Sequence, residues 1–561
     1  MLDLWYKNTI IYCLDVETFR DSDGDGVGDF PGLTECLDYL SGLGITCIWL
    51  MPFYPSPNRD NGYDVTDYYN VDSRLGTLGD FVEFTRQANH RGIRVIVDLV
   101  VNHTSTEHPW FQAACSDQQS KYRDYYVWKE EKPEDADEGI VFPGRQSTTW
   151  TYQEQAQAFY HHRFYEHQAD LNIANPTVRQ EICKIMGFWL QLGVSGFRVD
   201  AAPYLIELQG VEDQADVTDP FTYLSEFRDF LSWRRGDAIV LAEANISIEE
   251  MPKYFGNGDR MQMLFGFIVN QQMMLSLVRE EAAPLVNALK SLPPIPPIGQ
   301  WAIFVRNHDE LSLDKLTPAE QEEVADQFAP DREQMWIFDR GIRRRLPPMV
   351  EGNIRRIQLA YSLMLTLPGT PVLFYGEEIG MGEDLSLDER NSTRTPMQWS
   401  DAPNGGFSTA PGEKLIRPVI SEGQFGYAAV NVMDQRRDPK SLLNWMERAI
   451  RMRKECPEFG WGKWQILDTG KPQVFAHRCE WQKGAVVALH NLSSQPCTVT
   501  LSSSPENSPP GNSPPENLPE NDHHWLELLG DCPYEPLKGA SREIYLESYG
   551  FRWFRVCSRG V

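Results

Sequence analysis

The chain reads as an α/β protein: a (β/α)₈ barrel, with a subdomain inserted after its third strand and a β-sandwich at its C-terminal end. Three observations predict this. Strand-like runs alternate with helical patterns from the first residues to about Lys454. Four of the runs end in a carboxylate, and acids at the C-terminal ends of parallel strands are what such a barrel presents at its active face. The stretch between Asp98 and Val194 is far longer than one connecting helix requires.

The strands follow in order. Ile10–Leu14 is the first and Thr46–Leu50 the second. The runs ending at Asp98, Asp200 and Glu243 are the third, fourth and fifth. Met261–Phe267 is a weaker sixth, Ala302–Val305 the seventh and Val372–Tyr375 the eighth. Val178–Leu192 and Phe221–Trp233 carry apolar residues at helical spacing. Eight strands separated by helices favour a closed barrel over an open sheet. On this reading 1–101 and 175–455 form the barrel. Residues 102–174, rich in Tyr, Trp, Gln and His, form the inserted subdomain, since so long a loop without structure is improbable. A second insertion runs from Glu310 to about Pro348 and ends in the basic run Arg340–Arg345. Residues 456–561 carry short strands (Trp464–Leu467, Val474–His477, Ala485–Leu489, Cys497–Leu501), interrupted at 502–521 by an imperfect Pro/Asn/Ser repeat that reads as a surface linker.

Composition narrows the function. A net charge of −28 argues against nucleic acid or an anionic membrane as partner, whereas a small neutral sugar is indifferent to it. No apolar run reaches the roughly 18 residues of a membrane span, and the start of the chain has no signal-peptide pattern. The ten Cys are scattered; Cys13, Cys47 and Cys183 lie in apolar runs and read as buried free thiols, which suggests a cytoplasmic location. Asp21, Asp23, Asp25 and Asp29 alternate around glycines as at the start of a calcium loop, with Val27 placed to offer a carbonyl. Gly32, however, stands where the bidentate Glu would be.

Gly62-Tyr63-Asp64, Asp98–His103, Gly196–Asp200, Leu241–Asn245 and Asn307-His308-Asp309 together resemble the ordered motifs of the alpha-amylase superfamily of glycoside hydrolases. The resemblance implies a retaining enzyme in which Asp200 is the nucleophile, Glu243 the general acid and base, and Asp309 the holder of the sugar hydroxyls. Arg198 shares a strand face with Asp200, where its cation would favour the ionised carboxylate. Small neighbours at Ala242 and Ala244 suit a drier, protonated Glu243. Tyr63, Asp64, His103, Arg198, Asn245, His308, Glu310 and Arg394 are the implied substrate residues, with Asp98 as support behind them. The resemblance also implies structural calcium, or magnesium in the Asp21–Asp29 loop, and no organic cofactor. A second calcium site would join the inserted subdomain to the barrel through Asn102, Asp170, the backbone oxygens of Tyr204 and Leu205, and Glu207.

Within the superfamily the narrower likeness is to isomerases that interconvert maltose and trehalose. It rests on Phe53–Pro57, His108–Phe111, Ala201–Leu205, Arg306–Glu310, Gly341–Leu346, Gly376–Gly382 and Arg394–Trp399. Asn245, Glu310 and the Arg340–Arg345 run are the more telling positions. Ala202, Ile206–Gln209 and the 142–151 segment depart from that pattern near the pocket entrance. An α-glucosidase or oligo-1,6-glucosidase is the alternative. A catalytically silent binding protein on this barrel would have lost acids that this chain keeps. The partners expected are maltose, trehalose and glucose, with a homo-oligomer open.

Overall fold

The computed structural model describes residues 3–501, 523–537 and 543–558. Eight strands close into a barrel: β1 (Ile11–Leu14), β2 (Cys47–Leu50), β3 (Arg94–Leu99), β4 (Gly196–Val199), β5 (Ile239–Ala242), β6 (Met263–Phe265), β7 (Gln300–Phe304) and β8 (Thr370–Phe374). Every pairing is parallel, and the ring is completed where Ile11 of β1 faces Val372 of β8. Apart from Arg94, every residue in these strands is buried. Strands covered on both faces read as continuous apolar runs, which is why they stand out in the sequence. β7 and β8 begin at Gln300 and Thr370, ahead of the apolar runs at Ala302 and Val372. Those two polar side chains are satisfied by backbone carbonyls, Gln300 Nε2 donating to Gly460 and Thr370 Oγ1 to Tyr6.

The connecting helices follow from local chemistry. In the helix Pro176–Gln191 the Asn175 side chain caps the first turn, and proline stands in that turn, where its missing N–H costs nothing. Its inward stripe is Val178, Ile182, Ile185, Met186 and Trp189, spaced for one helical face. The second expected helix spans Thr222–Arg234.

Two insertions rise from the C-terminal face of the barrel. Between β3 and β4, His103–Ser105 pairs antiparallel with Gln168–Asp170, and Trp128–Lys129, Ala158–His161 and Trp150–Gln153 form a three-stranded sheet. After β7, Leu311–Ser312, Gly341–Ile342 and Trp336–Ile337 form another small sheet beside the helix Pro318–Phe328. The insertions meet in an apolar cluster of Val141, Phe142 and Phe338.

The tail is a sandwich of unequal layers. One layer is a five-stranded antiparallel sheet of β9 (Lys463–Ile466), β10 (Val474–Trp481), β11 (Gly484–Asn491), β13 (His523–Gly530) and β15 (Phe551–Ser558), in the order β9-β10-β11-β15-β13. The other is the ribbon β12 (Cys497–Thr500) with β14 (Glu543–Leu546). Val474, Val487, Leu489, Val499, Ile544 and Phe554 fill the space between them. The Pro-rich stretch at 502–521 lies outside the described residues. The nine described cysteines are free thiols; Cys13 and Cys47 are buried as expected, but Cys183 is half-buried against the edge of the core. Among the described residues no helix is long and apolar enough to cross a membrane.

Candidate active site

The mouth of the barrel holds a pocket of about 270 Å³, lined among others by Asp60, Tyr63, His103, Asp200, Glu243, Asn245, Asp309, Glu310 and Arg390. Asp200 follows β4, Glu243 follows β5 and Asp309 follows β7, so parallel strand ends bring together three acids far apart in sequence.

Arg198 organises the floor. Its Nη1 donates to Asp98 Oδ1 at 2.7 Å and also contacts Asp200, and its Nη2 lies 2.7 Å from Glu243 Oε2. Asp98 is fully buried beneath the pocket, where Trp49 Nε1 and Tyr63 OH donate to its Oδ2. Asp98 therefore anchors Arg198 and does not face the cavity. Ala201 follows Asp200 in the left-handed region (φ 48°), and its N–H donates to Glu243 Oε2. A non-glycine residue held there marks backbone that the surroundings over-determine.

The three acids titrate differently. Burial pushes Glu243 up to about 8 against the pull of Arg198. Burial also pushes Asp200 up to about 6, because desolvation outweighs the adjacent guanidinium. Arg198 opposes that rise, as expected of a cation beside the carboxylate, and a value near 6 leaves Asp200 mostly ionised at neutral pH. At Asp309 burial is overcome, and His308, Arg390 and Arg394 hold the carboxylate well below the usual range. Arg390 Nη1 and Arg394 Nη2 donate to its Oδ1 at 2.8 and 3.1 Å. Burial pushes both His103 and His308 below the ordinary imidazole range.

The other expected residues divide into those facing the cavity and those behind it. Tyr63 reaches the cavity because Gly62 turns the chain at φ 86°, where a Cβ would meet the Pro52 carbonyl at 2.8 Å. Its hydroxyl lies 2.7 Å from His308 Nε2, and His103 Nε2 donates to its carbonyl. His308 and Arg394 are buried behind Asp309, the arginine donating from Nε to the His308 carbonyl. Asn245 lines the pocket and donates to Asp314 Oδ1. Asp64 is a correction. Its carboxylate accepts from Ser56 Oγ and the Arg59 and Asp60 amides, capping its own loop, so it does not line the pocket. Asp60 takes that place, bridged by Arg390 Nη2 at 2.9 Å.

Sequence reading missed Asp60, Arg390, Phe142 and Phe338. Arg390 ties Asp60 to Asp309 and lies over the Phe142 ring, at 5.2 Å from its centroid. Phe142 packs on Phe338 at 4.7 Å and on Tyr165 at 4.6 Å. In the basic run only Arg340 reaches the mouth, joining Glu310 Oε1 at 3.0 Å to the Val141 carbonyl at 2.6 Å. Arg343 and Arg344 instead hold the 383–390 loop. Arg344 pairs with buried Glu383, and Arg343 donates to the Leu385 and Glu389 carbonyls. Arg345 is buried on the Tyr375 and Thr393 carbonyls.

A parallel barrel with three acids at its mouth, two of them on one buried arginine, has the parts that work on a glycosidic bond requires. The alpha-amylase catalytic-domain model matches residues 14–462, and the chain belongs to the alpha-amylase family. It is 40% identical to a trehalose synthase of Thermus thermophilus over 99% of this chain and 56% of that protein, so it spans little more than half that relative's length. It is 38% identical to a trehalose synthase/amylase of Mycobacterium tuberculosis, over 99% of this chain and 91% of that protein. Among solved structures it is similar to an alpha-amylase from H. orenii, with a TM-score of 0.78 at 27% identity over 98% of this chain and 99% of that one. A trehalulose synthase superposes with a TM-score of 0.76 at 26% identity, over 98% of this chain and 100% of that one.

Proposed function

We propose that the enzyme converts maltose to trehalose within one pocket, through a covalent glucosyl ester on Asp200, with some hydrolysis to glucose on the side. Asp200 attacks the anomeric carbon while Glu243 protonates the leaving oxygen; the freed glucose then turns and attacks through its anomeric hydroxyl, with Glu243 now taking the proton. Both carboxylates grip one guanidinium and so are held as near neighbours. That suits retention, for which carboxyl groups sit about 5–5.5 Å apart, closer than in an inverting enzyme. Asp309 stays ionised where positive charge builds on the sugar ring, and Asp60 and His103 meet its hydroxyls.

The observation that carries isomerisation over hydrolysis is the strap across the mouth. Glu310, Arg340 and the Val141 carbonyl make a strap between the two insertions, and Phe142 and Phe338 seal it. Arg390 and Asp60 close the far end. Water at about 55 M outcompetes one retained glucose unless the pocket excludes it. The relatives named as trehalose synthases favour the same reading. The test is incubation with maltose and separation of trehalose, glucose and residual maltose. Trehalose as a main product supports the proposal; glucose alone assigns an α-glucosidase.

The Asp21–Asp29 loop suits calcium or magnesium. Oxygens of Asp21, Asp23 and Asp29 lie within 4.8 Å of one another, and the Asp23 carboxyl, although the Asp25 amide donates to it, is raised by desolvation and then by Asp25, Asp21 and Asp29. An all-oxygen set of this charge fits a hard divalent cation. The second set fits less well. Asn102 stands one residue before His103, which pairs with Asp170, but Asp170 lies on His161 and the Arg163 amide, and Glu207 pairs with the Arg163 side chain at 2.7 Å. A cation there would compete with Arg163 for Glu207. The free thiols suit a reducing, cytoplasmic setting.

A further inference from the structure

Arg306 stands one residue before the Asn307-His308-Asp309 turn and takes no direct part in the pocket. It is 1% exposed. Its Nη2 donates to the Asp309 carbonyl at 2.8 Å, while its buried Nε and Nη1 have no partner among the described residues. Burial pushes the guanidinium down to about 10, with Glu377 opposing the shift and Arg345 adding to it, so it remains a cation at neutral pH. Burial also pushes Glu377 up to about 8, and it accepts from the Phe374 amide and Tyr361 OH, so it offers Arg306 little negative charge. A buried cation with one hydrogen bond is costly, and an apolar residue of its size would fill the space more cheaply.

The position of that one bond accounts for the cost. Side chains hold the turn in three places: Asn307 Oδ1 takes the Asp309 amide at 3.0 Å, Arg394 Nε takes the His308 carbonyl at 2.8 Å, and Arg306 takes the Asp309 carbonyl. The Asp309 carbonyl belongs to the peptide joining Asp309 to Glu310. On one side of that peptide is a pocket carboxylate, and on the other is the mouth strap through Arg340 to the inserted subdomain.

We propose that Arg306 is a positioning residue that fixes the Asp309–Glu310 peptide, setting Asp309 in the pocket and Glu310 under the strap together. Losing it frees both, so it governs the barrier to glucosyl transfer and the exclusion of water at once. This rests on the function proposed above.

The test compares wild type, Arg306→Met and Arg306→Lys, each checked for folding by circular dichroism and melting temperature. With maltose, Arg306→Met should lower kcat by about tenfold or more while changing KM little, the scale expected when a group acting in the transition state is misplaced. Its trehalose-to-glucose ratio should fall several-fold, with Arg306→Lys lying between it and wild type. A wild-type ratio in Arg306→Met overturns the proposal, and so does an activity loss that only matches the loss of folded protein. Hydrolysis of an aryl α-glucoside separates the two readings. If wild type makes no trehalose, the isomerase reading fails, while a kcat loss at constant KM on the aryl substrate still reports that Arg306 positions Asp309.

Discussion

Asp200 and Glu243 sit on one arginine yet are driven to different protonation states, the first near 6 and the second near 8. The nucleophile must be ionised and the acid protonated, so activity should fall below pH 6 as Asp200 gains its proton and above pH 8 as Glu243 loses its own. The two values belong to the coupled pair, so a bell-shaped pH profile of kcat/KM with limbs near them is the check. Glu243→Gln should remove the alkaline limb and should spare an activated aryl α-glucoside far more than maltose, since a good leaving group needs little proton donation. An alkaline limb that persists in this variant would assign the acid elsewhere. Asp200→Asn should abolish isomerisation and hydrolysis together with the circular dichroism unchanged; retention of either at about a percent of wild type would remove Asp200 as nucleophile, because covalent catalysis supplies far more than that factor.

The insertions decide what the barrel's acids accomplish. Phe338 lies on Phe142 across the gap between them, with Arg390 under both rings. Phe338→Ala should leave the formation of glucosyl-enzyme nearly intact and move products from trehalose toward glucose, read as the product ratio under matched conditions. An unchanged ratio would take this aromatic contact out of water exclusion. The acidic loop at Asp21–Asp29 is a second element with its own expected outcome. If it holds a cation, a chelator should lower the melting temperature, and Asp23→Asn should make the protein indifferent to the chelator, since binding to the folded state alone stabilises it by mass action. A melting temperature unmoved by chelator would mean that hydrogen bonds alone hold the loop.

The tail sandwich is clamped to the barrel helix Ile354–Thr366. His477 Nε2 donates to the Thr366 carbonyl at 2.8 Å, and Ser362 Oγ accepts from Trp553 Nε1 and bonds His490 Nε2. Burial pushes His477 down to about 4 from an ordinary value of 6.5. The unfolded chain therefore binds the proton more readily, and the stability carried by neutral His477 is present above pH 6.5 and lost as pH falls toward 4. At about 1.4 kcal/mol per pKa unit this is worth up to about 3 kcal/mol. His477→Gln keeps a donor toward Thr366 and should flatten the fall of melting temperature between those pH values. A slope equal to wild type would place the acid sensitivity elsewhere.

Much of this was legible in the chain itself. Strands buried on both faces must be uniformly apolar, so the eight barrel strands, their acids at Asp200, Glu243 and Asp309, and the excess length between β3 and β4 are written as local pattern. The starts of β7 and β8 were not, because Gln300 and Thr370 are polar and find their partners only across the fold. Nor were Asp60 and Arg390, whose ion pair joins loops far apart in the chain, or the fate of the basic run, where neighbouring arginines point to different partners. The Gly62-Tyr63-Asp64 motif points to Asp64 as a sugar-binding acid, but the turn between Asp60 and Asp64 directs the Asp64 carboxylate inward to cap its loop and the Asp60 carboxylate to the pocket. Periodicity and motif order are properties of short segments, and the sequence alone determined them. Which charge meets which, and how far burial shifts a carboxyl, depends on solvent removed by distant elements, and only the tertiary structure decided that.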